Sequence, residues 1–577
     1  MTISIQGISA SPGIAIGPAF VIETESYVPA EERAADPQAE ASRFRLAVAK
    51  AGEELEEIRL AAIERLGEEK AEIFEAHQLV LEDPDLIDVI EEQILEKGIQ
   101  AEYALYETSR SFVDALREMD NELLRERAAD VEDVAGRIMN ALRGRTASSL
   151  TSIRKPCIIV ADDLTPSDTA QLDLDIVRGF ITRVGSRTSH SAIMARSLGI
   201  PAIVGAGERV KEITAGDQLV LHADHGQVIV NPDSEELIQY EQDRQRYLDS
   251  QRELARLKDQ PTVTLDDHHV ELAANIGSVE DMQHVLDNGA EAIGLFRTEF
   301  LYMGRSSMPG EEEQYNQYKY VLEKMTGKPV VIRTLDIGGD KELPYMELPK
   351  EDNPFLGQRA LRLCLARPEL FRTQLRALLR ASKHGQLKIM FPMIAVLSEL
   401  QEAKRILQEE KDSLLREGHD IASDIEVGMM IEIPAAALGA AVFAPHVDFF
   451  SIGTNDLIQY VMAADRMNEQ VSYLYQPCHP AVLQLVRMVI DAAAQHGRWV
   501  GMCGEMAGDE RAIPLLLGLG LHEFSMSAGA ILGARAQIAE LSYASWQETA
   551  LAALALGSEQ EVLELVQTRL AAAAAGE

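Results

Sequence analysis

The stretch VDFFSIGTND, residues 447–456, decides the fold. Val447, Phe449, Phe450 and Ile452 make a nearly unbroken apolar run. A glycine ends it, and Thr454, Asn455 and Asp456 follow at once. A strand apolar on successive residues is covered on both faces, the pattern of a parallel strand. Polar groups gathered just behind its C-terminal end are what a (β/α)8 barrel presents at its functional face. The design recurs at VELAANIG, AIGLFRTEF, PVVIRTLDIGG, LKIMFPMI, EVGMMIEIP, WVGMCGEMA and EFSMSA, with helical segments between. Eight such units predict a (β/α)8 barrel over residues 261–577 in preference to a doubly wound open sheet.

Working outward, residues 232–260 are charged, poor in Gly and Pro, and thinly apolar. Leu237, Tyr240, Tyr247, Leu254 and Leu257 form a narrow seam, which predicts a linker helix. Residues 145–231 return to short strand-like runs (CIIVA, PAIVG, DQLVLHA, QVIVNP) and predict a small α/β unit, whose sheet residues 1–20 are expected to join. Residues 21–144 then become an inserted helical bundle. Residues 51–100 of it hold 16 acidic and 4 basic side chains. Such a run is either a solvated helix face or a docking surface for a basic partner. The expected architecture is multidomain α/β.

The length of 577 residues suits about three or four domains. Lys and Arg number 54 against 93 Asp and Glu, a net charge of −39, which argues against nucleic-acid or anionic-membrane binding. Cys157, Cys364, Cys478 and Cys503 lie far apart with no CxxC pair, so neither a disulfide framework nor a zinc–thiolate site is expected. The opening MTISIQGISASPGIAIG has no basic n-region, and no apolar run reaches the ~18–20 residues that span a bilayer. A cytoplasmic protein without direct membrane insertion is expected.

Read in order, the barrel strand ends supply Asn275, Arg297, Arg333 with Asp336, Met393, Glu432, Asn455 with Asp456, Cys503, and Ser525 with Ser527. Two arginines from neighbouring strands suit a phosphate or carboxylate, and Arg359 and Arg466 add a second clamp. Glu432 and Asp456 are hard oxygen donors of the kind Mg²⁺ takes beside a bound phosphate; they would equally serve as counter-charges to the arginines. Cys503, between glycines in GMCGE, is either a small buried hydrophobe or a proton donor. In GSRTSHSAIMARSLGIPAIVG, residues 185–205, Thr188 and Ser189 are N-cap types before a helix. His190 therefore falls at a helix N-terminus, where free N–H groups favour a phosphoryl group, with Arg187 and Arg196 nearby. A neutral imidazole there can accept the group and pass it on.

The stretch around His190 and the stretch DFFSIGTNDLIQYVMAADR, residues 448–466, together resemble the phosphoenolpyruvate-utilising enzymes. The order of segments, the length and the acidic helical insertion resemble the Enzyme I family of bacterial phosphotransferase systems. That resemblance implies a homodimeric, Mg²⁺-dependent phosphotransferase. It would move phosphate from phosphoenolpyruvate to His190 and then to the phosphocarrier protein HPr, releasing pyruvate in the first step of sugar uptake. Carried over by position, residues 1–20 and 145–231 form the phosphohistidine unit, 21–144 the HPr-binding subdomain and 261–577 the substrate-binding and dimerisation barrel. Arg297, Arg333, Asn455, Asp456 and Arg466 would bind the substrate. Glu432 and Asp456 would hold Mg²⁺, and Cys503 would protonate the enolate. Ser186, Ile458, Val461 and His522 depart from common family residues without removing a reacting group. Pyruvate phosphate dikinase and phosphoenolpyruvate synthase share these motifs but carry a large ATP-binding domain before the histidine. A non-catalytic scaffold of the same fold is expected to have lost His190, Arg297, Glu432 or Cys503, and all four are present.

Overall fold

The computed structural model describes residues 2–22, 27–66, 74, 77–117, 122–144, 153–165, 168, 172–186, 189–303, 305, 307–338, 343, 345–346, 351–466 and 468–575. They form two units, Met1–Ser250 and Gln251–Glu577.

The first unit is built on one eight-stranded sheet. Its strands are β1 (Ile3–Gln6), β2 (Ile8–Ser11), β3 (Ile14–Val21), β4 (Cys157–Ala161), β5 (Val177–Thr182), β6 (Ala202–Val204), β7 (Gln218–His222) and β8 (Gln227–Val230). The spatial order is β1-β8-β7-β3-β4-β5-β6-β2. β3 to β6 run parallel, and the remaining pairings are antiparallel. The alternation of strand side chains divides the apolar residues between two faces. Ile158 and Val160 of β4 join Ala15, Leu219 and Leu221 on one face. Cys157, Ile159 and Ala161 join Phe180 and Val204 on the other.

The helices α1 (Pro37–Leu66), α2 (Pro84–Lys97), α3 (Ala101–Arg117) and α4 (Glu122–Leu142) lie in the chain between β3 and β4. Those two strands are hydrogen-bonded neighbours, Ala19 opposite Ile158 and Val21 opposite Val160, so the helices are an insertion into a continuous sheet. The bundle buries Phe44, Leu55, Leu86, Ile90, Ile94, Val134 and Ile138. α2 shows why its sequence is a helix of that length. The Asp83 side chain accepts the Asp85 N–H at 2.9 Å, Pro84 sits in the first turn, and Gly98 at φ 63° ends it. Part of the acidic run is paired internally: Glu56 with Arg59 at 2.7 Å, and Glu91 with Arg45 at 2.7 Å. Glu68, Glu69 and Glu72 of that run lie outside the described residues.

The segment read as a linker, residues 232–260, contains α6 (Ser234–Ala255), reached after α5 (His190–Leu198). None of its residues is buried. Leu237 and Tyr240 use the near end of the seam against Ile16, Val220 and Ile229.

The second unit is a closed barrel of parallel strands: β9 (Glu271–Ile276), β10 (Ala292–Arg297), β11 (Pro329–Arg333), β12 (Gln386–Phe391), β13 (Glu426–Ile431), β14 (Phe449–Ile452), β15 (Trp499–Met502) and β16 (Glu523–Met526), with β16 paired back onto β9. The interior is filled by Leu295, Val331, Met390, Met430, Phe449 and Cys503. The alternate residues, including Ile293, Ile332, Ile389, Met429 and Phe450, meet the surrounding helices. That two-sided burial is why the strands read as unbroken apolar runs. Gly428 on β13 makes room for the Phe449 ring, which a Cβ there would approach to 2.6 Å.

Candidate active site

Most of the barrel residues singled out in the sequence meet at one cavity of about 560 Å³ at the C-terminal strand ends, whereas Asn275, Met393, Ser525 and Ser527 do not line it. Arg297 ends β10 and Arg333 ends β11. Glu432 follows β13, Asn455 and Asp456 open the helix Thr454–Met462 behind β14, Arg466 follows that helix, and Cys503 follows β15. Arg359 and Asp336 line the same cavity. So do Glu299, Phe300, Ser472, Tyr475 and Glu505, which strand-end reasoning missed. Glu299 lay within sight: it stands two residues beyond Arg297 in RTEF, on a short 3-10 turn that caps the strand.

The charges are prearranged. Arg333 donates to Glu299 at 2.8 Å and meets Asp336 at 2.9 Å. Arg359 bridges Asp336 at 2.9 Å and Asp456 at 3.3 Å, and Arg466 approaches Asp456 at 3.4 Å. Thr298 donates to the Arg333 carbonyl at 2.8 Å, and Gln374 donates to Thr298 at 3.0 Å, so buried polar groups hold the strand end in turn. Arg297 has no ion-pair partner among the described residues, and the buried Nε of Arg333 has no hydrogen-bond partner. Both are donors available to an oxyanion. Asn455 is partly spent on the fold: its Oδ1 accepts the Glu505 N–H at 2.9 Å.

Cys503 is 2 % exposed. Burial pushes its thiol up to about 11. The thiol is therefore held protonated near neutral pH, the state a proton donor requires.

The charges present suit a divalent cation. The cavity is lined by four arginines and five carboxylates, so its own side chains offer no positive excess to a multiply charged anion. Burial, then the charges of Asp336 and Asp456, raise the Glu432 carboxyl well above the ordinary carboxylate range. A divalent cation would relieve that repulsion. Among the described residues no three His, Cys, Asp or Glu side chains converge as a complete metal cage. Two carboxylates completed by substrate oxygens and water are the usual Mg²⁺ arrangement, which Glu432 and Asp456 fit.

In the first unit His190 opens α5, with Ser189 at the N-cap position in extended geometry. Ser189 does not cap the helix through its side chain; its hydroxyl donates to the Ser186 carbonyl at 2.9 Å. Gly199 at φ 66° closes the helix. Arg196, grouped with His190 in the sequence, donates to the Ala10 carbonyl at 3.0 Å and ties the helix to β2. Arg187 and Thr188 lie outside the described residues. Among the described residues no helix is long and apolar enough to cross a membrane.

Family models match in three blocks along the chain. The PEP-utilising enzyme N-terminal model matches residues 6–127, the mobile-domain model 153–226 and the PEP-binding-domain model 251–543. The class is thus that of the PEP-utilising enzymes. Phosphoenolpyruvate-protein phosphotransferases from Bacillus sp. (strain S) and Geobacillus stearothermophilus are each 58 % identical over 564 residues, covering 98 % of this chain and 98 % of theirs. A solution structure of an Enzyme I protein (nEIt) is 40 % identical and covers 42 % of this chain and 99 % of its own, with a TM-score of 0.38. Within the class, the chain belongs to the phosphoenolpyruvate–protein phosphotransferase family.

Proposed function

We propose that this enzyme transfers the phosphoryl group of phosphoenolpyruvate to its own His190 and from there to HPr, releasing pyruvate, as the first step of phosphotransferase sugar uptake. The observation that carries the proposal is the gathering of Arg297, Arg333, Arg466, Glu432, Asp456 and Cys503 at one cavity at the strand ends.

Each group has a task. Arg297 and Arg333 hold the anionic substrate by charge-assisted hydrogen bonds, and Arg466 with Asn455 closes the opposite side. Glu432 and Asp456 would hold Mg²⁺, which would supply neutralisation of phosphoryl charge. The P–O bond to the enol oxygen breaks as the Nε2–P bond to neutral His190 forms, an in-line displacement dominated by positioning and electrostatics. C3 of the released enolate takes the Cys503 proton and becomes the methyl group of pyruvate; solvent reprotonates the thiolate. The helical insertion, residues 21–144, is the surface that receives HPr. The working enzyme is a cytoplasmic homodimer, as the family resemblance implies.

The test is incubation with ³²P-phosphoenolpyruvate and Mg²⁺. Acid-labile, base-stable label is expected on His190, absent in folded His190→Ala. Full phosphorylation of HPr by His190→Ala would remove His190 as the carrier.

A further inference from the structure

We infer that Asn275, outside the cavity, is a positioning residue for the Cys503 thiol. The inference rests on the proton-donor role proposed above. Asn275 lies on β9, and β16 separates that strand from the end of β15 that carries Cys503. Its amide spans the gap. Asn275 Nδ2 donates to the Cys503 carbonyl at 3.0 Å and to the Ser525 carbonyl at 3.3 Å. Ser525 Oγ donates to Asn275 Oδ1 at 2.6 Å. Both amide hydrogens and the amide oxygen are thus used. Exchanging O and N would set the oxygen against two carbonyl oxygens, so the network fixes the orientation of the amide.

The consequence falls on one residue. The Cys503 N–H donates to the Ile452 carbonyl at 3.1 Å, and its own carbonyl is held by Asn275. The peptide groups on both sides of the reacting side chain are therefore pinned. The following Gly504 packs against Thr454, where a Cβ would stand 1.8 Å from Thr454 Oγ1, so no side chain fits there. Only rotation about the Cα–Cβ bond is left to the thiol. Its one described acceptor contact, Sγ to the Ile452 carbonyl at 3.9 Å, is too long to fix that rotation strongly. The direction in which the proton is delivered is thus set mainly by the backbone, and one side of that backbone is set by Asn275. The Cys503 carbonyl lies just past the end of β15 and the Ser525 carbonyl within β16, and the Asn275 amide supplies a donor to each.

The experiment is a double-mutant cycle on the full-length enzyme, following pyruvate release with phosphoenolpyruvate, Mg²⁺ and HPr. Asn275→Ala is expected to lower kcat about 10–100-fold, the cost of misplacing a reacting group by about 1 Å, with KM for phosphoenolpyruvate within about twofold. In the Cys503→Ala background, where no thiol remains to be aimed, the same change is expected to cost less than about threefold. Should Asn275→Ala fail to fold, Asn275→Asp keeps the shape, loses both N–H donors and runs the same cycle. Equal losses in both backgrounds, or a raised KM with kcat intact, overturn the inference and leave the Cys503 role standing. Wild-type turnover in Cys503→Ala sinks that role and the inference with it.

Discussion

The barrel carries a buried carboxyl with a raised pKa at each end, and the two are differently surrounded. Glu432, at the C-terminal end, faces Asp336 and Asp456 but also Arg333 and Arg359, and its Oε1 accepts the Met393 N–H at 2.5 Å. Glu523, which opens β16 at the opposite end, faces Glu271 with Lys388 as its one opposing charge, and its Oε1 has no hydrogen-bond partner. Burial is the first cause of both shifts. A perturbed carboxyl is therefore not itself the mark of a site. Convergent arginines and an open cavity distinguish Glu432; Glu523 also has a second carboxylate beside it, Glu271, but its opposing charge is a single lysine. The division matches the rule that barrel chemistry sits behind the C-terminal strand ends while the other end serves stability.

The largest effect at the C-terminal end is expected from the proton donor. Cys503→Ala should lower kcat for pyruvate formation by about 10²–10⁴-fold, the range of general-acid contributions, with substrate affinity nearly kept. Steady-state kinetics at saturating phosphoenolpyruvate check it. Near-normal turnover would return Cys503 to a packing role among Leu295, Met430 and Phe449.

The same contrast explains what was legible in the sequence. The strands were readable because each is buried on two faces, and their order along the chain is their order round the barrel. Arg297, Arg333, Glu432, Asp456 and Cys503 could be nominated because polar residues directly behind such runs must point out of the strand end. Who pairs with whom was not readable: Asp336 holding both Arg333 and Arg359 depends on side-chain directions across strands. Glu523 was read only as part of the strand EFSMSA, and only closure of the barrel brings it beside Glu271 of β9. Around His190 the helix and its start followed from the N-cap types Thr188 and Ser189, whereas the bond from Arg196 to the Ala10 carbonyl is a tertiary contact that no local pattern shows. The acidic character of residues 51–100 was readable, but not that Glu56 and Glu91 are already paired.

A smaller effect should come from Glu432→Gln. Removing one anionic donor beside Asp456 should raise the Mg²⁺ concentration for half-maximal turnover by about 10–100-fold or more, since partners that merely support a metal ligand already cost that much. Turnover of the unaltered enzyme should vanish with a chelator and return with added Mg²⁺. An unchanged Mg²⁺ requirement in Glu432→Gln would make Glu432 only a counter-charge to Arg333 and Arg359.

Glu523→Gln should leave turnover unchanged and act on stability alone. Burial and Glu271 push the Glu523 carboxyl up to about 8. In the folded barrel it keeps a proton that the unfolded chain releases near the ordinary carboxylate pKa. Its stabilising contribution is therefore complete below about pH 4, the unfolded value, and is lost as pH rises through about 8. The amide introduced by Glu523→Gln cannot titrate, so the variant should show a flatter loss of stability between about pH 5 and pH 9, gaining a few kcal/mol on wild type at the alkaline end at most, because Glu271 shares the shift. Both tryptophans, Trp499 and Trp546, belong to the barrel unit, so fluorescence-detected urea unfolding reports that unit without interference from the first. Parallel pH profiles for variant and wild type would mean that Glu523 is ionised inside the barrel, with Lys388 as its full partner. A fall in turnover would mean that the two ends of the barrel are not separate in function.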